Sequence, residues 1–101
     1  MPPADQASWV SSRSREYHFR KHGAAMGFAA VEAYDRSARG TIRAGIRFTY
    51  RERGGLLKRV GYFHRRAGRL TALDESETRI VNHFACSEDY VRRQVDSDYT
   101  R

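Results

Sequence analysis

Residues 46–51 read Ile46, Arg47, Phe48, Thr49, Tyr50, Arg51, with apolar and polar side chains in strict alternation. Successive side chains of a β-strand point to opposite faces, so this stretch predicts a strand with one apolar and one cationic face. Gly54-Gly55 follows as a hairpin-type turn, and Leu56 to His64 is the next strand. Arg65-Arg66-Ala67-Gly68 makes a second turn, Arg69 to Asp74 a third strand, and Arg79 to Phe84 a fourth across Glu75-Ser76-Glu77.

Before residue 40 the period is helical. A first helix is predicted from about Ser12 to His22, with Gly23 as its left-handed cap. Residues 23–28 form a connection. A second helix spans roughly 29–39, where Val31, Tyr34 and Ala38 recur at helical spacing and Gly40 is the expected stop. After the strands, Ser87 caps a short helix through about Val95, with Glu88 and Asp89 in its first turn. Residues 1–12 predict a flexible N-terminal arm and residues 13–101 a single domain. The order ααββββα predicts an α+β fold: N-terminal helices packed on one face of a four-stranded antiparallel meander, with a short C-terminal helix. The other face of the sheet is expected to be free and rich in Arg.

At 101 residues the chain suffices for one domain and excludes a multidomain enzyme. No apolar run approaches the ~20 residues of a membrane span, so no membrane insertion is expected. The start lacks the apolar region of a secretory signal, and the single cysteine, Cys86, excludes an internal disulfide framework; both suit the cytoplasm. The net charge of +7 is uneven. Residues 42–69 hold nine basic groups and one acidic group, whereas residues 70–101 hold four basic and seven acidic. The basic segment includes Arg47, Arg51 and Arg59, interleaved with Phe48, Tyr50, Tyr62 and Phe63. Cations neutralise phosphates and aromatic faces accept unstacked bases, so the mixture suits RNA or single-stranded nucleic acid. An acidic protein partner and a merely solvated Arg surface are the alternatives. The acids from Asp74 onward are also placed to fold against this basic field and mask part of it.

Four histidines bear on chemistry: His18, His22, His64 and His83. His18 and His22 lie four apart on one helical face, and imidazole titrates near neutrality. Such a pair suits general acid–base cleavage of RNA, where the 2′-hydroxyl attacks its own phosphate. Lys21 and Arg79 are candidates to stabilise the electron-rich phosphorane. The same spacing suits a divalent metal, but no Glu follows His18 and no third ligand is evident, so neither a metal nor a cofactor is expected. Ordinary packing is the alternative for His18, His22 and His83.

The segments HFRKHG at 18–23, Tyr34 and Ala38, the Arg-rich hairpin, Gly61-Tyr62-Phe63, RLTALDE at 69–75, RIVNHF at 79–84 and Tyr90-Val91 follow one another in an order that resembles a known superfamily. It groups barnase, EndoU, the tRNA-cleaving colicins and RelE-type toxins under the name BECR fold. The likeness is greatest to the toxin domains of bacterial polymorphic and contact-dependent inhibition proteins and to related phage-associated domains, over roughly residues 13–95. The resemblance implies a toxin-like, metal-independent endoribonuclease cleaving tRNA or mRNA, countered by an acidic immunity or antitoxin protein. It implies His18 or His22 as the helix histidine, Arg79 as the cation, and a strand hydroxyl where this chain has Asn82, with His83 or Thr78 as substitutes. Lys21, Arg47, Arg51, Arg59, Tyr62, Asn82, Tyr90 and Tyr99 are the expected substrate contacts.

Overall fold

The computed structural model describes residues 3–52 and 54–97. In chain order the elements are α1 (Pro3–Gln6), β1 (Ser8–Trp9), α2 (Ser12–His18), a π-helical turn (Phe19–Gly23), α3 (Val31–Ala44), β2 (Ile46–Glu52), β3 (Leu57–His64), β4 (Arg69–Asp74), β5 (Arg79–Ala85), α4 (Glu88–Gln94) and β6 (Val95–Ser97). The fold is α+β. Strands β2 to β5 form the expected antiparallel meander. Two short strands extend it, giving the order β1-β5-β4-β3-β2-β6, with β1 parallel to β5 and β6 antiparallel to β2. The sheet is therefore mixed. Two or three residues are too few for a period to register in the sequence, so these edges were not foreseen. Among the described residues no helix is long and apolar enough to cross a membrane.

Both faces of the sheet are covered, which corrects the expectation of one free face. On the first, Tyr34, Ala38 and Ile42 of α3 pack with Leu73 of β4 and Ile80 of β5. On the second, Val91 of α4 closes over Phe48, Tyr50, Phe63, Leu70 and Ala72. Helix α4 forms where expected: the Ser87 hydroxyl accepts from the Tyr90 N–H at 3.1 Å, satisfying one of the orphan donors of the first turn.

Three local expectations are corrected by tertiary contacts. The second helix runs through Gly40 to Ala44. Thr41 and Ile42 are buried and continue the apolar stripe, which outweighs the ~1 kcal/mol a mid-helix glycine costs. Gly23 does not adopt the left-handed conformation; a Cβ there would stand 2.5 Å from the Phe19 ring and 3.2 Å from Tyr34, so it serves close packing. Residues 3–12, expected as part of a flexible arm over 1–12, do not trail. Ala4, Ala7 and Trp9 lie in the core, and Arg39 donates to the carbonyls of Ala4 at 2.9 Å and Ala7 at 2.7 Å. The Trp9 indole N–H donates to Asp35 at 2.7 Å, and Asp35 in turn holds Arg39 at 3.1 Å.

Gly61 lies on β3 beneath the fully buried Phe48 ring, and a Cβ there would stand 2.5 and 2.7 Å from two of its atoms. The ring has no room to withdraw. Gly61→Ala should destabilise the fold by about 1–3 kcal/mol, the usual range for overpacking, measured by urea unfolding. An unchanged midpoint would show that Phe48 does not rest on this glycine.

Candidate functional site

A column of rings runs along one edge of the domain. Trp9 stacks on His18 with centroids 6.2 Å apart, and His18 on His22 at 6.1 Å with the planes only 5° from parallel. His22 meets Phe84 of β5 at 5.6 Å, and Phe84 meets Tyr90 of α4 edge-on at 5.7 Å. The histidines are brought into register by the end of α2 and the π-helical turn that follows; such turns recur at functional sites. Burial, followed by the charges of His22 and Lys21, lowers the pKa of His18. Burial and the Lys21 charge lower that of His22. Both shifts favour the neutral ring at pH 7. The Nδ1 atom of His18 and the Nε2 atom of His22 are buried without a hydrogen-bond partner among the described residues.

Beyond Phe84 the column opens on a cleft of about 410 Å³ whose walls include Asn82, Phe84, Tyr90, Gln94, Tyr50 and Glu52. Asn82 and Phe84 are two apart on β5 and so share the face toward α4. The Asn82 side-chain oxygen accepts from the His83 N–H at 2.8 Å, leaving its amide N–H₂ as the outward-facing polar group. Burial raises the Tyr90 phenol above its ordinary pKa, so it stays protonated and can donate.

His83, expected among the catalytic residues, points the other way and is fully buried. Its Nδ1 stands 3.0 Å from the Leu70 carbonyl, which can only accept, so Nδ1 carries the proton. Thr71, whose hydroxyl donates to the Ala38 carbonyl at 2.9 Å, lies 2.9 Å from the same nitrogen as a second acceptor. Nε2 then accepts from the Ser37 hydroxyl at 2.8 Å, and Ser37 accepts from Arg69 at 3.1 Å. Burial lowers the His83 pKa to about 4. A neutral, enclosed imidazole with every polar atom engaged joins β4, β5 and α3; it is not presented to a substrate.

The remaining expected residues divide into separate places. Lys21 lies 5.8 Å over the Tyr17 ring, beside the histidines. Arg79 reaches Ser8 at 3.2 Å where β1 meets β5; Phe84, the neighbour of His22, lies five residues along the strand, roughly 16 Å away. Thr78 is occupied with Ser76 and Asp74. Arg47 pairs with Glu77 at 3.0 Å, and the Tyr62 hydroxyl donates to the same carboxylate at 2.5 Å. Arg59 pairs with Glu52 at 3.3 Å, and Arg51 lies at the β2–β3 hairpin, 3.4 Å from the Gly55 carbonyl. Tyr99 is outside the described residues. Cys86 is half-buried and its thiol is pushed up to about 11, which keeps it from acting as a thiolate at neutral pH.

Trp9 and Phe84 complete the ring column and were not foreseen from sequence. Phe84 carried a signal, since strand alternation aligns it with Asn82; nothing local to Trp9 stacks it on His18, nine residues on. Among the described residues no three His, Cys, Asp or Glu side chains come together as metal ligands. Comparison with protein-family profiles, with curated proteins and with solved structures yields no match.

The unfolded imidazole of His83 takes up its proton near pH 6.5, the folded one only near pH 4. The unfolded state therefore binds more protons as pH falls through this window, and stability is lost there. This group alone should remove about 2 kcal/mol between pH 7 and pH 5, read by urea unfolding at both values. The His83 ring protons should hold their NMR shifts across that range; a titration midpoint above pH 6 would refute the buried neutral assignment.

Proposed function

We propose that this chain is a metal-independent endoribonuclease with tRNA or mRNA as substrate, acting in the cytoplasm, where such RNA is found. The observation that carries the reading is the neutral His18–His22 stack, continued through Phe84 to a cleft edged by Asn82 and Tyr90. Neutral His22 is the ring next to Phe84 and takes the proton of the attacking 2′-hydroxyl. The imidazolium so formed returns a proton to the departing 5′-oxygen, leaving a 2′,3′-cyclic phosphate. The Tyr90 phenol and the Asn82 amide donate to the non-bridging phosphate oxygens as charge builds on them. His18, held between Trp9 and His22, orients its neighbour. Burial, reinforced by the Lys21 charge, favours the neutral form of both rings at rest. An acidic immunity or antitoxin protein would compete for the Arg-rich surface.

One observation favours a second reading, a non-catalytic RNA-binding module. Position 82 has an amide in place of the hydroxyl that the ribonuclease resemblance implies, and part of that amide is spent on the His83 backbone.

Single-turnover cleavage of labelled tRNA and mRNA separates the two. His22→Ala should lower the rate by about 10²–10⁴, the range of a lost general acid or base. His18→Ala should retain more turnover and lower stability by about 1–2 kcal/mol. Cleavage should persist in EDTA. Salt-sensitive RNA binding without any cleavage by the unaltered chain would establish the binding module, and loss of cleavage in EDTA would make the histidines metal ligands.

A further inference from the structure

A second concavity, a notch of about 260 Å³, opens at the Trp9 end of the ring column, between β1 and α2. Its walls are Ser8, Trp9, Ser11, Ser12, Arg15 and Arg39, and none of these is acidic. Cations of the β2–β3 hairpin have local counter-ions: Arg47 meets Glu77, Lys58 meets Glu75 and Arg59 meets Glu52. The balance at the notch is different. Arg39 is spent on Asp35 and on the carbonyls of Ala4 and Ala7. Arg15 has neither an ion pair nor a side-chain hydrogen bond among the described residues, and its Nε–H is enclosed without an acceptor. Enclosed donors are rarely left unpaired, so this one calls for an acceptor.

The neighbours of Arg15 are donors as well. The Arg79 guanidinium has no acidic partner among the described residues and donates to the Ser8 hydroxyl oxygen at 3.2 Å. Ser8 accepts there and keeps its O–H to donate. Ser11 is placed likewise, its oxygen accepting from the Ser14 N–H at 3.0 Å. Ser12 adds a third hydroxyl. The Trp9 wall is no platform for a base: its ring stacks with His18 at 6.2 Å and with Tyr34 at 5.7 Å, its N–H is held by Asp35, and the residue is 7% exposed. Cations and hydroxyls without a free aromatic face suit a phosphate and not a base.

We infer that this notch binds a phosphodiester of the RNA strand other than the scissile one, with Arg15 as its principal contact. A guanidinium offers Nε–H and Nη–H side by side to two phosphate oxygens, and the three serine hydroxyls supply further donors. The inference rests on the RNA reading above and deepens it. Arg15 and His18 are three apart on α2 and so lie on one side of it. Trp9 both walls the notch and stacks on His18, and a further ring spacing of 6.1 Å leads to His22. A strand gripped at the notch therefore runs along the column toward the proposed general base. Arg79, too far from Phe84 to stabilise charge at the scissile bond, gains a place in holding the notch.

The probe is a short single-stranded RNA, uniformly 2′-O-methylated so that it cannot be cleaved through its 2′-oxygen, and without terminal phosphates, so that every phosphate is a diester. Added to the unaltered chain, it should shift the Nε–H NMR signal of Arg15. Arg15→Gln should weaken its binding about tenfold at low salt, the lower end for a hydrogen bond to a charged group. The slope of log affinity against log salt should fall by about 0.7, one phosphate on a single strand. Arg15→Lys should keep that slope and still bind more weakly, because an ammonium cannot make the paired contact. Arg13→Gln removes the same charge two residues away, on a different side of α2, and should cost much less. Equal losses from Arg15→Gln and Arg13→Gln, or an unmoved Arg15 signal, would overturn the subsite. Poly-glutamate binding as tightly as the RNA, with the same shift at Arg15, would assign the notch to an acidic protein and overturn it too. If the chain cleaves labelled RNA but Arg15 and Arg13 behave alike, the notch inference falls alone. If it neither cleaves nor binds RNA, the functional reading falls with it.

Discussion

The imidazole of His83 is the fastening on which the arrangement of this domain depends. It has one donor and one acceptor, and each is taken by a different element: Nδ1–H by β4, Nε2 by Ser37 of α3. A buried polar group left unpaired costs about 1–3 kcal/mol, so the ring is tolerated in the core only while all three elements hold their relative positions. Tyr34 closes the same joint by donating to the His83 carbonyl. Because strand neighbours face opposite ways, fixing His83 toward α3 fixes Asn82 and Phe84 toward α4. The ring column and its cleft are thus set from the far side of the sheet.

The same domain carries +7, yet many of its cations are matched locally. Lys58, Arg47 and Arg65 face Glu75, Glu77 and Glu88, all from the acidic C-terminal third, and Arg92 shares Glu88. The folding of the late acids onto the early arginines was legible in the charge distribution, because opposite charges separated along a short chain are brought close once it becomes compact. Most of these pairs are exposed. They add little to stability and are weakened further by salt. Their effect is to moderate a basic surface without neutralising it.

Local periodicity was the part of the fold that could be read in advance. The alternation over 46–51, the glycines at 54, 55 and 68, all with positive φ, and the Ser87 cap each express a preference satisfied within a few residues. Misreadings arose where a distant surface outweighed a local one. Gly40 looks like a stop, yet Ile42 has a core to enter; the prolines and serines of the first residues look loose, yet Arg39 collects the carbonyls of Ala4 and Ala7. The spacing of His18 and His22 marked a face of interest, but not its stacking partners, Trp9 and Phe84, which arrive from other elements.

By itself the sequence determined the helical or extended character of α2, α3, α4 and β2 to β5, the meander order of those strands, and the segregation of charge. The tertiary structure alone decided that both sheet faces are covered, that β1 and β6 close the edges, that His83 is enclosed while His18 and His22 remain at the surface column, and which glutamate meets which cation. The division has a physical cause. A strand's alternation or a helix cap is a free-energy preference of neighbouring residues, whereas burial and pairing depend on which residues, dozens of positions apart, occupy the same few ångströms after the chain has packed.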